Sequence, residues 1–294
     1  MSWPRPARGI LQADPKDNVT IIKAVRTQYN KTICQKDLSV IFFDSVLQET
    51  RLTMSAESEG QGTDSRWVVV GLSGVTRGGK TSLALNLLSC LPTTTAYLSQ
   101  DEYILPNSHP AHSAAPEPLS GINKETLASI DMSRMMKDLR RVLAAEPSSL
   151  TLSDPENLMD RSQVVGCALQ EPRPPLKGRQ RTSRLPAVLV LDGFRLFEHT
   201  DVLSLCHLRY FLTLTREQCV ARGKQSPRTS SFINSPQYFD LCVWPKYEEY
   251  LAMLIDNSGA DNIRFLDGAS PPDALAKTVE NEVKSLLGLS EYCS

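Results

Sequence analysis

The sequence predicts an α/β fold, a five-stranded parallel sheet with helices on both faces. Short apolar runs of strand length alternate along the chain with segments whose apolar residues recur at helical spacing. Such alternation is typical of parallel sheets, because crossover helices cover both faces. A chain of 294 residues, 41% hydrophobic and with a net charge of −1, also fits one large globular domain rather than a disordered segment.

Five apolar runs are predicted as the strands of this sheet. They are Trp67–Leu72, Ala96–Leu98, Ala187–Leu191, His207–Leu214 and Ile263–Leu266. Helices are predicted at Ser82–Leu91, Lys124–Ala145, Arg216–Gly223, Pro236–Ile255 and Asp273–Leu287. Pro245 should start, stop or kink the helix in which it lies, because proline lacks a backbone N–H.

Composition also indicates how the chain is organised. Residues 1–65 are predicted to be a flexible N-terminal extension, because a polar stretch runs from Met54 to the first strand. Residues 66–294 would then form the domain, with a surface excursion at 146–186 and a small lid at about 222–235. Asp14 and Asp17 argue against a mitochondrial presequence, so we expect a cytoplasmic protein and keep the mitochondrion as the alternative.

Several classes of function are disfavoured by composition. A net charge of −1 gives no basic field for nucleic acid. Apolar runs stay below the roughly 18–20 residues that cross a bilayer, so no membrane partner is expected. The seven cysteines are scattered without a CxxC pair, which argues against a zinc site or a disulfide framework.

The most specific motif lies between the first strand and the helix after it. It fits the phosphate-loop pattern G-x-x-x-x-G-K-[ST], in which backbone N–H groups and a helix N-terminus hold phosphates. The residues predicted to bind ATP are Gly74, Val75, Thr76, Arg77, Gly78, Gly79, Lys80, Thr81 and Ser82. Lys80 can reach the β- and γ-phosphates, and the Thr81 hydroxyl can ligate Mg²⁺. The motif alone does not separate a kinase from an ATPase or a GTPase.

Two carboxylates follow predicted strands. Asp101 comes after Ala96–Leu98, and Asp192 comes directly after Ala187–Leu191. Ligands of open parallel sheets sit at the carboxyl ends of the strands, where such acids can hold Mg²⁺ or accept a proton from an attacking hydroxyl. The alternatives are a helix N-cap for Asp101 and an Asp-Gly turn for Asp192.

Two arginines, Arg222 and Arg228, flank a segment with lid character. Arginines on a lid can neutralise charge on a transferring phosphoryl group. The alternative is a solvated basic loop.

Over most of residues 67–287 the sequence resembles the nicotinamide riboside kinases, P-loop kinases related to uridine and pantothenate kinases. The stretches that carry the resemblance are Gly71–Thr76, Ser99–Tyr103, Asp192–Phe197, Tyr210–Thr213, Tyr238–Asp240, Val243–Pro245 and Leu266–Gly268. The resemblance implies transfer of the ATP γ-phosphate to the 5′-hydroxyl of nicotinamide riboside or its acid analogue. The product would be a mononucleotide that feeds NAD synthesis.

The resemblance also implies roles for individual residues. Thr81 and Asp101 would hold Mg²⁺, and Asp101 would also accept the proton of the sugar hydroxyl. Asp192 stands where the family usually has Glu, as a shorter carboxylate in the same catalytic role beside Lys80. Arg222 and Arg228 match lid arginines that contact ATP.

The substrate side departs from the family. A Tyr-Asp pair that stacks on the pyridine ring and binds the ribose is matched here by Lys124-Glu125. Glu125 can still hold a diol. If Lys124 points into the site, a ring carboxylate is favoured over a pyridinium; if it points to solvent, it has no effect. In the lid, Phe232 replaces the displaced aromatic residue, and a second arginine is matched by Gly223.

The resulting prediction is a monomeric kinase that uses Mg²⁺ with ATP and a small nucleoside. One alternative is a kinase for uridine, cytidine or another small molecule. Another is a nucleotide-binding homologue without catalysis, which the Lys124-Glu125 pair keeps open.

Overall fold

The computed structural model describes residues 66–147, 185–224, 235–256 and 262–289. The predicted N-terminal extension, most of the 146–186 excursion and lid residues 225–234 lie outside the described residues.

All five predicted strands are confirmed, and they form one parallel sheet in the order β2-β5-β1-β6-β7. The strands of this sheet are β1 (Trp67–Gly74), β2 (Thr95–Ser99), β5 (Ala187–Asp192), β6 (Leu208–Thr213) and β7 (Ile263–Asp267). The short strands β3 (Ser113–Ala114) and β4 (Ile122–Asn123) form an antiparallel pair, in a region where the sequence predicts neither a strand nor a helix.

Helices connect these strands. They are α1 (Lys80–Cys90), α2 (Met132–Ala144), α3 (Thr200–Leu205), α4 (Arg216–Lys224), α5 (Pro236–Tyr238), α6 (Trp244–Asp256) and α7 (Pro272–Leu286), with 3₁₀ turns at Gln100–Tyr103, Leu127–Ser129 and Leu196–Glu198. A π-helical turn at Phe239–Val243 joins α5 to α6. This wider turn comes just before Pro245, and we infer that it lets the helix continue past a residue without an N–H.

Both faces of the sheet are buried. All eight residues of β1 are buried, as a central parallel strand requires. On one face Phe211 stacks against Tyr247 and meets Tyr250 edge-on, with ring centroids 6.1 and 5.5 Å apart. On the other face Tyr210 donates a hydrogen bond of 2.7 Å to Glu282 of α7. The predicted helix cover on both faces is therefore confirmed.

The predicted helix Lys124–Ala145 is wrong in its first eight residues. The α2 helix begins at Met132, and the Asp131 carboxylate caps it by accepting from the Arg134 N–H at 2.9 Å. An N-cap carboxylate fixes a helix start more strongly than apolar spacing does. The Lys124-Glu125 pair consequently lies on a loop, not on a helix.

Within the described ranges, no helix is long and apolar enough to cross a membrane.

Candidate functional site

The phosphate-loop motif occupies the turn between β1 and α1. Two of its glycines have a backbone conformation that other residues rarely adopt: Gly74 has φ of 125° and Gly79 has φ of 96°. A Cβ on Gly74 would lie 2.1 Å from the carbonyl oxygen of Leu212 on the next strand. Gly79 is the N-cap of α1 and has no side chain to cap the first-turn N–H groups. The helix N-terminus therefore suits an anion.

Lys80 folds back over this loop. Its Nζ donates to the carbonyls of Gly74 and Val75 at 3.1 and 3.0 Å. These bonds keep the ammonium group above the loop that the sequence predicts to cradle phosphates. A phosphate oxygen could replace the carbonyls as acceptor with a small movement of a flexible side chain.

Asp192 connects the phosphate loop to the neighbouring strands. The Thr81 hydroxyl donates to Asp192 Oδ2 at 2.6 Å, and the Tyr97 hydroxyl donates to the same oxygen at 3.0 Å. Asp192 is only 3% exposed, so these bonds compensate for the burial of its charge. Burial and the nearby Asp192 carboxylate raise the pKa of Tyr97, which stays a neutral donor. Tyr97 was not predicted from sequence, and no motif marks it.

The donors beside the phosphate loop fit Mg²⁺. They are oxygens: the predicted ligands are the Thr81 hydroxyl, which bonds Asp192 at 2.6 Å, and the exposed Asp101 carboxylate at the end of β2. Among the described residues no group of three or more His, Cys, Asp or Glu could hold a metal. One hydroxyl and one carboxylate are the donors expected where Mg²⁺ takes one or two protein ligands and completes its shell with phosphate and water.

Asp101 lies at the carboxyl end of β2, on the 3₁₀ turn Gln100–Tyr103. The side chain of Ser99 caps this turn by accepting from the Asp101 N–H at 3.4 Å. Asp101 is exposed, and its charge reaches both Tyr97 and Glu125, because it raises the pKa of each. Asp101 thus interacts electrostatically with Glu125 and with Tyr97, which bonds Asp192.

Glu125 has a carboxyl with a perturbed pKa. Burial, and then the Asp101 carboxylate, raise the pKa of Glu125 to about 7. Lys80, Arg195 and a hydrogen bond from Tyr238 act in the opposite direction and favour the charged form. The Glu125 carboxyl therefore interacts with Lys80 of the phosphate loop and with Asp101, the predicted proton acceptor. A perturbed acid beside such partners marks a functional site.

Two residues that sequence reasoning did not single out hold Glu125 in place. The Tyr238 hydroxyl accepts from the Lys124 N–H at 2.9 Å. Arg195 is 4% exposed, and its Nη1 donates to the carbonyls of Glu125 and Lys246 at 3.2 and 3.1 Å. Arg195 also pairs with Glu198. The signal that could have found it is a lone cation within the apolar stretch Phe194–Phe197.

Arg222 lies on α4, at the edge of the phosphate loop. Its guanidinium donates to the carbonyls of Arg77 and Gly268 at 2.9 and 2.6 Å. The predicted contact of Arg222 with ATP stays a prediction. Arg228 and Phe232, which the sequence predicts on the lid, lie outside the described residues.

The chain is similar to several nicotinamide riboside kinases. Nicotinamide riboside kinase 2 of Mus musculus is 28% identical over 221 residues, which are 75% of this chain and 97% of the relative. Nicotinamide riboside kinase 1 of Homo sapiens is 27% identical over 219 residues, 74% of this chain and 93% of the relative. Nicotinamide riboside kinase 2 of Homo sapiens is 27% identical over 226 residues, 76% of this chain and 84% of the relative. No protein-family model matches the chain.

These relatives confirm the resemblance that the sequence motifs predict. They support an α/β P-loop kinase fold and a ribonucleoside kinase function. Kinase relatives also imply that ATP is a substrate.

Proposed function

We propose that this protein transfers the γ-phosphate of ATP to the 5′-hydroxyl of a ribonucleoside, nicotinamide riboside or its acid analogue. The observation that supports the proposal best is the position of Glu125, which lines one cavity with Gly74, Val75 and Thr76 of the predicted phosphate loop. A nucleoside held by Glu125 would therefore lie next to the phosphates of an ATP bound by this loop. The mononucleotide product would feed NAD synthesis, in a cytoplasmic monomer.

On the phosphate side, the loop and α1 bind the ATP phosphates through backbone N–H groups. Lys80 is released from the carbonyls of Gly74 and Val75 and neutralises charge that grows on the transferring group. Thr81 and Asp101 would hold Mg²⁺, with Asp192 orienting the Thr81 hydroxyl. The ion, when bound, offsets charge on the β- and γ-phosphates.

On the acceptor side, Asp101 accepts the proton of the attacking 5′-hydroxyl. Asp101 is exposed at the end of β2, where the hydroxyl of a nucleoside can reach its carboxylate. The Glu125 carboxylate accepts hydrogen bonds from the two ribose hydroxyls, since it offers two oxygens to a diol. Arg195 and Tyr238 fix the loop on which Glu125 lies.

The test is a panel of nucleosides incubated with Mg²⁺ and ATP, with ADP release and product mass as readouts. The panel contains nicotinamide riboside, nicotinic acid riboside, uridine and cytidine. The proposal expects a 5′-mononucleotide from one of the pyridine ribosides and little from the others. Preference for uridine or cytidine would replace the proposed substrate, while ATP binding without turnover of any nucleoside would indicate a non-catalytic homologue.

A further inference from the structure

The middle of the phosphate loop contains a residue with strained backbone. Arg77 has φ of 67°, and it is the only non-glycine residue with positive φ in the described parts of the chain. An arginine has no intrinsic preference for this conformation, so contacts elsewhere must hold it. Its side chain shows what these contacts are.

The Arg77 guanidinium packs into the base of α4 and the π-helical turn. Its Nη1 donates to the carbonyl of Cys219 at 3.3 Å, and its central carbon lies 5.4 Å from the centroid of the Phe239 ring. A cation over an aromatic face is a favourable contact, and a planar guanidinium can in addition stack on the ring, which a lysine ammonium cannot do. Burial lowers the pKa of Arg77, as expected for a guanidinium withdrawn from water.

Gly223 provides the space for this guanidinium. A Cβ at position 223 would lie 1.9 Å from Arg77 Nη1 and 2.4 Å from Arg77 Cζ. Gly223 is buried within α4, where glycine is a poor helix former. The position of the Arg77 side chain gives a physical reason for glycine at a site that helix propensity disfavours.

The contact is reciprocal. Arg77 donates from the loop to a carbonyl of α4, and Arg222 of α4 donates back to the carbonyl of Arg77 at 2.9 Å. Arg222 also bonds Gly268 after β7. We call this pair of crossed arginine–carbonyl contacts, Arg77 to Cys219 and Arg222 to Arg77, the arginine clasp.

We propose that Arg77 is a positioning residue that, through the arginine clasp, holds the phosphate loop in its ATP-binding conformation against α4. Gly223 leaves the space that the Arg77 guanidinium occupies. The inference rests on the proposed function, because it concerns the same nucleotide. It adds a role for the Arg77 side chain, which the phosphate-loop motif leaves unspecified.

The test is a double-mutant cycle read out by ATP affinity in the presence of Mg²⁺, measured calorimetrically. Arg77→Asn removes the guanidinium but tolerates positive φ, so it separates the clasp from backbone strain. We expect ATP to bind about tenfold more weakly, the scale of one charge-assisted hydrogen bond. Gly223→Ala should cause a similar loss, because the new methyl group displaces the guanidinium. In the Arg77→Asn background, Gly223→Ala should change ATP affinity by less than about twofold.

The cycle distinguishes positioning from a merely structural role. A structural role predicts that Gly223→Ala raises the melting temperature through better helix propensity and leaves ATP affinity unchanged. The clasp predicts weaker ATP binding with an unchanged KM for the nucleoside. Arg209→Asn is the matched control: Arg209 is also half-buried with a lowered pKa, and it donates to the carbonyl of Cys206 at 3.1 Å. It lies on β6 away from the loop and should leave ATP affinity unchanged.

Two outcomes would overturn the clasp. One is wild-type ATP affinity in Arg77→Asn, and the other is an equal effect of Gly223→Ala in both backgrounds. If Arg77→Asn does not fold, Gly223→Ala alone, compared with Arg209→Asn, still decides the question. Absence of ATP binding by the wild type would overturn the proposed function as well, whereas normal binding with insensitive variants overturns the clasp alone.

Discussion

The loop of residues 74–82 and the loop that carries Glu125 line one cavity, but they are built in different ways. The first is a continuous segment whose shape follows from its own glycines and from the helix that begins at Lys80. The second owes its position to residues far away in sequence, Arg195, Tyr238 and Lys246. The predicted phosphate site is thus encoded locally, whereas the proposed acceptor site is assembled by tertiary contacts.

We therefore expect substitutions in the two loops to affect different properties of the enzyme. Changes on the phosphate side should reduce transfer itself, because they remove groups that act on the moving phosphoryl group. Changes on the acceptor side should alter which nucleoside is used and at what pH, because they affect the fit and charge of Glu125.

The largest effect is expected for Asp101→Asn. The substitution keeps the size of the side chain but removes its charge and basicity. Loss of a general base costs on the order of 10²–10⁴ in rate. ATP affinity measured by calorimetry should change far less, because the loop at 74–81 still binds phosphates. Near-normal kcat would make Asp101 a turn residue and move the proton acceptor elsewhere.

Lys80→Ala should reduce kcat on the order of 10²–10³-fold, the loss typical of removing one electrostatic group from a transition state. The melting temperature should stay close to that of the wild type, since the Lys80 ammonium bonds only to carbonyls of its own loop among the contacts described. Steady-state kinetics and thermal melting of the same preparation test this. A folded variant with wild-type kcat would show that Lys80 is not the phosphate lysine.

The acceptor side should respond to pH near neutrality. The pKa of Glu125 is raised to about 7, so its carboxyl is protonated in the free protein below pH 7 and charged above. The KM for the nucleoside should therefore fall as pH rises from 6 to 8, by up to about tenfold, since the charged fraction of a group with a pKa of about 7 rises from about one tenth at pH 6 to about nine tenths at pH 8. In Glu125→Gln the KM for the nucleoside should no longer change between pH 6 and 8, while any pH dependence that comes from ATP should remain.

The same pKa shift predicts that protein stability falls as pH rises, whereas nucleoside binding improves. The folded state keeps a proton on Glu125 between its ordinary pKa of 4.5 and about 7, whereas the unfolded chain has released it. This contribution to stability is present at low pH and is lost as pH rises through 7. Thermal melting should find Glu125→Gln more stable than wild type above pH 7, with a difference that shrinks toward pH 5. A constant difference would contradict the raised pKa.

The smallest effect is expected for removal of residues 1–65. The chemistry-bearing residues of both loops lie beyond Trp67, so a chain that starts at Arg66 should fold and keep its kcat. Circular dichroism and the nucleoside assay test this together. Loss of ATP binding in the shortened chain would mean that the N-terminal segment completes the domain.

The fold was largely predictable, because its signals are local. The five strands are apolar runs bounded by turn residues, and the phosphate loop is a fixed spacing of glycines, lysine and threonine. The helix over Lys124–Ala145 was predicted too long because apolar spacing does not register the cap at Asp131. The antiparallel pair Ser113–Ala114 and Ile122–Asn123 was missed because two-residue strands carry no periodicity.

The candidate site was predictable only in part. Asp192 could be identified because it follows a buried strand directly. Arg195, Tyr97 and Tyr238 could not, because their roles depend on partners 70 to 114 positions away in sequence. The role of such a buried polar residue becomes visible only in the folded structure, where its partners are in contact with it.

The central claim is that the Glu125 loop presents the 5′-hydroxyl of a ribose to Asp101 by holding the ribose diol. The measurement that tests it most directly is kcat/KM for a pyridine riboside and for its 2′-deoxy analogue, in the wild type and in Glu125→Ala. A hydrogen bond to a charged partner contributes about 1.5–3 kcal/mol, so the wild type should prefer the riboside by about 10- to 100-fold. Glu125→Ala should lose most of this preference while ATP affinity stays unchanged. Equal use of both nucleosides by the wild type, with no effect of Glu125→Ala, would contradict the account.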